Sequence, residues 1–239
     1  MEDISIVESD IPKKSGFHLK DHDVRFNHKK QAIVDTRNSR VMGYEFFSEP
    51  VVDNEPVNIM KLIDSISDSN ELENLDRLII ESLLKNYVKR QKNVKRFINI
   101  SSVNVLEKLD PAMFYRNEGI VVEIHSKLME ENIQTVKNKI DELKFYKIEI
   151  CIDDYYPDKN PIENIELVNP QYVKLLNRYT SDMFLNPNKD LDVFELFDRL
   201  KKNNTEIIVG HVENYETMKF AEKMGAMGIQ GYFIEKPII

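Results

Sequence analysis

The sequence predicts an α/β fold, a closed (β/α)8 barrel whose first strand runs antiparallel to the others. Apolar runs of strand length alternate with amphipathic helical stripes from residue 31 to residue 230, the pattern of parallel strands joined by crossover helices. Counting both arms of an opening hairpin gives eight strands. No glycine-rich phosphate loop follows the first strand, and only 7 glycines occur in 239 residues, which disfavours an open dinucleotide-binding sheet. The length suits one barrel domain.

Residues 1–23 are polar and mixed in charge and contain Pro12-Lys13-Lys14-Ser15-Gly16, so they read as a flexible arm before a single domain over 24–239. Residues 31–35 and 41–47 flank the polar segment Thr36-Arg37-Asn38-Ser39-Arg40, as in an antiparallel hairpin. Leu72, Leu75, Ile79, Leu83 and Tyr87 then form one helical stripe, with Asn70 and Glu73 as its N-terminal cap pair. Strands follow at 96–100, 119–124 and 147–152, the last two separated by a helix marked by Ile133, Val136, Ile140 and Leu143. The series closes with strand 172–176, a helix near 191–200, strand 206–209, helix 215–224 and strand 226–230. Phe194 and Phe197 are expected in the core rather than at an interface.

A formal net charge of −8 and a pI near 5.3 exclude general affinity for nucleic acid polymers, which needs a basic surface. An anionic ligand would need a metal or a lysine beside it. The single cysteine, Cys151, lies within an apolar run and reads as a buried structural thiol. No segment reaches the roughly 18 apolar residues of a membrane span, and the N-terminus lacks a signal-peptide core, so a cytoplasmic protein is expected.

Glu45, Asn99, Glu123, Asp153 and Lys174 each stand in or at the end of a strand-like run. In a barrel the C-terminal strand ends converge on one face, so these residues could share one pocket. Three acids and an amide suit magnesium or manganese. The series is incomplete: Gly210 follows Glu206-Ile207-Ile208-Val209, where another acid would be expected.

At these residues the chain resembles the EAL domain family of cyclic di-GMP phosphodiesterases, from about residue 31 to residue 237. Gly43-Tyr44-Glu45-Phe46-Phe47, Asn99-Ile100-Ser101, Glu123-Ile124, Asp153-Asp154, Lys174 and Gln230-Gly231-Tyr232 stand in the family's order. The resemblance implies a TIM-like barrel of the EAL type. It also implies metal ligation by Glu45, Asn99, Glu123 and Asp153, roles for Asp154 and Lys174 around metal and attacking water, and ligand contacts from Gln230 and Phe47. The family's acid at Gly210 and its phosphate-gripping arginine at Glu49 are both missing. Its glycine-hinged loop is replaced by Tyr155-Tyr156-Pro157-Asp158, and the loop's anchoring glutamate by Ser126.

His125 and His211 read either as polar rim residues or as replacement ligands, whereas His18, His22 and His28 have no distinctive spacing. Three functional readings follow from the resemblance. The first is a silent regulator of motility, virulence or biofilm formation acting through a protein partner. The second is an active magnesium- or manganese-dependent phosphodiesterase releasing linear pGpG, and the third a cyclic di-GMP receptor that does not cleave. The altered loop further implies a monomer or a weak homodimer.

Overall fold

The structure, a computed structural model, describes residues 17–19, 22–59, 62, 66, 69–86, 94–100, 102–114, 119–176 and 190–238. Its sheet begins with β1 (Phe17–Leu19), β2 (His22–Asp35), β3 (Val41–Val52) and β4 (Glu55–Pro56). It continues with β5 (Lys95–Ile100), β6 (Ile120–His125), β7 (Glu149–Tyr155), β8 (Tyr172–Leu176), β9 (Glu206–Gly210) and β10 (Gly228–Ile229). β3, β5, β6, β7, β8, β9 and β10 run parallel, and β2 closes the ring antiparallel to both β3 and β10. This is the expected eight-stranded barrel, with β1 and β4 as short antiparallel additions.

The alternation of side chains along each strand divides the core in two. Ile33, Met42, Phe97, Val121, Cys151, Tyr172 and Ile208 point inward and form the barrel floor. Ile98, Val122, Ile124, Ile152, Val173, Leu175 and Val209 point outward under the helices. Both faces are apolar, as parallel strands buried on two sides require. Gly43 admits the Phe97 ring: a Cβ there would lie 2.7 Å from Phe97 Cε2.

Among the described residues the α-helices between strands are α1 (Ser69–Asn86), α2 (Val103–Lys108), α3 (Lys127–Phe145), α4 (Ile162–Val168), α5 (Asp190–Lys202) and α6 (Tyr215–Met224). α2 and α4 carry no usable sequence signal, because 6 and 7 residues do not complete a periodic stripe. The stripe of α3 starts at Ile133 for a structural reason. Asn132 leaves the helical region (φ −161°, ψ 87°) and its Oδ1 accepts from Thr135 N at 3.0 Å, restarting the helix.

Several expectations need correction or restriction. Phe194 is 55% exposed rather than core, because α5 buries Val193, Leu196, Phe197 and Leu200, and a residue one step from Val193 points elsewhere. In α1, Leu75 and Leu83 are buried, whereas Tyr87 and the side chains of Asn70, Leu72 and Glu73 lie outside the described residues. Of the arm assigned to 1–23, Phe17–Leu19 and the start of β2 are strand, and 1–16 with 20–21 lie outside the described residues. The last barrel strand is only two residues long, and the strand expected at 147–152 lies at Glu149–Tyr155, carrying Asp153 and Asp154 within it.

The hairpin is also longer than its apolar cores suggest. Val24, Phe26 and His28 lie on the face of β2 turned to α1 and alternate with Arg25, Asn27 and Lys29, an alternation diluted by charge in the sequence. Beyond the barrel this ribbon packs on Leu62, Ile66 and Leu75. His28, which has no distinctive spacing in sequence, is a buried node here. Its Nδ1 lies 2.9 Å from Ser48 Oγ and its Nε2 2.9 Å from Ser82 Oγ, tying β2, β3 and α1 together.

Burial lowers the His28 pKa from 6.5 to about 4. The folded value lies below the unfolded one, so this stabilisation is complete above pH 6.5 and is lost as pH falls toward 4. The loss is at most about 3 kcal/mol. Urea midpoints measured between pH 7 and pH 4 should therefore fall more steeply for the wild type than for His28→Asn. Parallel profiles would remove His28 as the titrating group.

Candidate metal centre at the barrel mouth

β3, β6 and β7 bring Glu45, Glu123 and Asp153 to the mouth, where one oxygen of each lies within 4.8 Å of the others. Strand register sets this arrangement: Asn99 pairs with Glu123 and His125 with Asp153. Asn99 Nδ2 donates to Glu45 Oε1 at 3.0 Å, and Gln230 Nε2 donates to Glu45 Oε2 at 2.7 Å. Gln31, first residue of the run 31–35, accepts from Gln230 at 3.2 Å and shares the inward face of β2 with Ile33. A polar residue at an inward strand position was the signal for it.

Lys174 Nζ sits among the three acids, 2.8 Å from Glu45 Oε2, 2.6 Å from Glu123 Oε1 and 3.6 Å from Asp153 Oδ1. Lys174 is thus ion-paired to Glu123 Oε1, whereas Glu123 Oε2 and Asp153 Oδ1 are buried without a hydrogen-bond partner. Burial, then the Glu45 charge, pushes Glu123 well above the usual carboxylate range. Burial likewise raises Asp153, against the pull of Lys174. Burial opposes charge on Lys174 too, but Asp153, Glu123 and Glu45 together outweigh it and hold the ammonium protonated. Burial also raises Cys151, which remains a free, buried thiol.

Asp154 and Phe47 do not join this cluster. Asp154 has a left-handed backbone (φ +48°) and its Oδ2 lies 3.3 Å from His125 Nε2. Lys127 N donates to His125 Nδ1 at 3.1 Å, so the proton of the neutral ring is on Nε2, aimed at Asp154. In this arrangement His125 serves as a hydrogen-bond donor, and Nε2 offers no lone pair to a metal. The hydrogen bond from His125 lowers the Asp154 pKa, and the same bond raises that of His125. His211 also adopts positive φ (+54°), so two non-glycine residues at this rim hold a strained backbone.

Phe47 instead lines a cavity of about 460 Å³ with Lys29, Glu49, Tyr232 and Lys236. Glu49 is paired there with Lys29 at 3.2 Å.

Sequence reasoning missed the network that fixes the segment after Asp154. Ser126 Oγ donates to the Asp154 carbonyl at 2.8 Å, and the buried Tyr155 hydroxyl donates to the Asn160 carbonyl at 2.9 Å. Asn160 Nδ2 in turn reaches Glu130 Oε1 at 2.9 Å and the Ser126 carbonyl at 3.2 Å. Glu130 lies one helical turn beyond Ser126, so a carboxylate still braces this segment from the neighbouring helix.

The chain is an eight-stranded β/α barrel with one antiparallel strand and a carboxylate-lysine cluster at its mouth, whose oxygen donors are of the kind that suit a divalent ion. The EAL domain family model matches residues 22–237, and the chain belongs to that family. The match starts within β2, earlier than the resemblance in sequence suggested. "Probable cyclic di-GMP phosphodiesterase PdeI" of Escherichia coli (strain K12) is 25% identical over 120 residues, covering 50% of this chain and 15% of that protein. The structure is similar to the FimX EAL domain from Pseudomonas aeruginosa bound to c-di-GMP, with TM-score 0.78, 18% identity and coverage of 89% and 90%. It is also similar to Bacillus subtilis YkuI in complex with c-di-GMP and calcium, with TM-score 0.73, 20% identity and coverage of 88% and 55%. The chain spans 15% to 54% of the length of the curated relatives it matches.

The residues present fit the divalent ion that this family implies. Three carboxylates converge, and buried oxygens of Glu123 and Asp153 have no hydrogen-bond partner. Among the described residues no helix is long and apolar enough to cross a membrane.

Proposed function

We propose that this chain is a cytoplasmic EAL domain that has kept a metal cradle but lost turnover, and that it regulates cyclic di-GMP-linked behaviour through a protein partner. The observation that carries the reading is Gly210. It ends β9 on the inward face, paired with Leu176, and a Cβ there would lie 3.6 Å from the Lys174 stem. A carboxylate at this position would reach the cluster, and glycine supplies neither ligand nor base.

Glu45, Asn99, Glu123 and Asp153 would hold magnesium or manganese. The ion would lower the pKa of bound water and stabilise the charge of an in-line phosphodiester displacement. On this chain Lys174 places positive charge at the carboxylates, Gln230 and Asn99 orient Glu45, and Asp154 is turned to His125. At the substrate end, Glu49 opposes an anionic ligand and also occupies Lys29.

A second reading, a receptor that binds cyclic di-GMP without cleaving it, draws on the cavity beside Phe47. Tyr232 offers a ring face there and Lys236 a cation, in a volume typical of small-molecule sites. Purified protein with manganese and cyclic di-GMP is expected to release no linear dinucleotide above a metal-only blank. Clear turnover would overturn the silent reading. Calorimetry with calcium in place of manganese then decides for the receptor if binding is low micromolar or tighter.

A further inference from the structure

We propose that Asn160 is a positioning residue for the carboxylate cradle: it locks a one-residue bulge in β7 that decides which of two adjacent aspartates faces the barrel interior. The inference deepens the reading of a retained metal cradle and rests on it for what Asp153 would hold.

Asp153 and Asp154 are neighbours in one strand, yet only Asp153 joins Glu45 and Glu123. The cause lies in the pairing of β7 with β8. Ile152 pairs with Val173 and Tyr155 with Leu175, three steps on one strand against two on the other, so β7 carries one extra residue across Asp153 and Asp154. Ile152 and Tyr155 consequently both pack in the outer layer under the helices, where residues three apart in a regular strand would face opposite sides. Asp154 takes up the irregularity with φ +48° and turns to His125. A regular strand continued back from Tyr155 would put Asp154 inside and Asp153 outside, which is how a bulge re-aims side chains.

Two anchors hold the bulge, and Asn160 connects them. On one side Ser126 N donates to the Asp153 carbonyl at 2.8 Å, and Ser126 Oγ donates to that of Asp154. On the other the buried Tyr155 ring is fixed by its hydroxyl bond to the Asn160 carbonyl. The fully buried Asn160 amide donates from Nδ2 both to Ser126 O and to Glu130 Oε1, joining the two sides. Among the described residues its Oδ1 has no hydrogen-bond partner, a cost in stability retained together with the two donated bonds. Glu130 sits on the first turn of α3, which the break at Asn132 separates from the rest of that helix, so the amide ties a separate short turn to β7.

The test is Mn2+ affinity of the full chain without nucleotide, read by calorimetry beside thermal midpoints. Asn160→Ala is expected to bind Mn2+ about 10- to 100-fold more weakly than wild type, the range typical when a group that orients a metal ligand is removed. Glu130 is exposed, so Glu130→Ala tests the same brace without opening the core. Its affinity should fall at least about threefold, while Glu130→Gln, which keeps the accepting oxygen and lacks the charge, stays within about twofold of wild type.

Wild-type affinity in Asn160→Ala, whatever its midpoint, would mark a merely structural residue and overturn the proposal. So would equal weakening in Glu130→Ala and Glu130→Gln, which would make charge rather than the hydrogen bond the cause. If Asn160→Ala does not fold, the Glu130 variants decide, and wild-type affinity in Glu130→Ala overturns the role. A wild type that binds no Mn2+ at about 1 mM, roughly 100-fold above a site of about 10 μM, would defeat the cradle reading itself. Wild-type binding that the variants share would defeat only the role of Asn160.

Discussion

Gly210→Glu combined with Glu49→Arg is expected to raise cyclic di-GMP affinity by about 10- to 100-fold, the worth of one charge-assisted contact regained and one repulsion removed. Turnover should rise at least about a hundredfold above wild type, the scale on which a single transition-state stabilising group acts. The substitution at Gly210 is sterically open: a Cβ meets Leu175 O and the Lys174 Cγ and Cδ at 3.6 Å, ordinary contact distances. Its carboxylate would extend along the Lys174 stem toward the cluster. At position 49 the present pair with Lys29 is neutral, and an arginine converts it into two adjacent cations facing the cavity. Calorimetry with calcium reads the affinity, and chromatography of the linear product with manganese reads the turnover. If neither moves, the deficit lies in the segment braced by Tyr155, Asn160 and Glu130 rather than at these two positions.

Gly231→Ala should destabilise the fold by about 3 kcal/mol or more, through two lost backbone hydrogen bonds and the strain of a forced shift. A Cβ at Gly231 would lie 2.2 Å from both Val212 N and Val212 O. Neither atom is free to move. Val212 N donates to Gln230 O at 2.9 Å, and Val212 O accepts from Phe233 N at 3.0 Å. The strain would reach the mouth directly, because Gln230 carries the amide that orients Glu45. Gly210→Ala is the matched control: the same added methyl meets only ordinary contacts and should change stability by less than about 0.5 kcal/mol. Urea denaturation of the two variants beside wild type checks both values, and equal midpoints would contradict this account of the Gly231 turn.

The legible parts of the fold were those whose periodicity runs long enough to register. Parallel strands such as β6 and β7 announce themselves as apolar runs, and α6 shows its stripe between Asn214, which caps it, and Gly225, which ends it at φ +78°. The first half of β2 was hidden because its residues turned to α1, Val24, Phe26 and His28, are separated by charged or polar neighbours. Within the candidate site, Glu45, Asn99, Glu123, Asp153 and Lys174 were readable as polar residues in or at the end of apolar strands and Gln230 through the family resemblance, and the structure gathers all six. Asn160 and Glu130 escaped because what brings them to the site is loop path and helix position, which no local spacing encodes.

The sequence by itself determined the barrel, its eight-strand count and the chemical character of its mouth, because side-chain alternation and strand-helix periodicity are local properties written residue by residue. Only the tertiary structure decided where each charge goes. It turned Asp154 away toward His125, paired Glu49 with Lys29, and seated the Lys174 ammonium among three carboxylates. Those outcomes depend on distances of a few ångströms between strands far apart in the chain, and electrostatic energies are set by such distances and by burial rather than by composition.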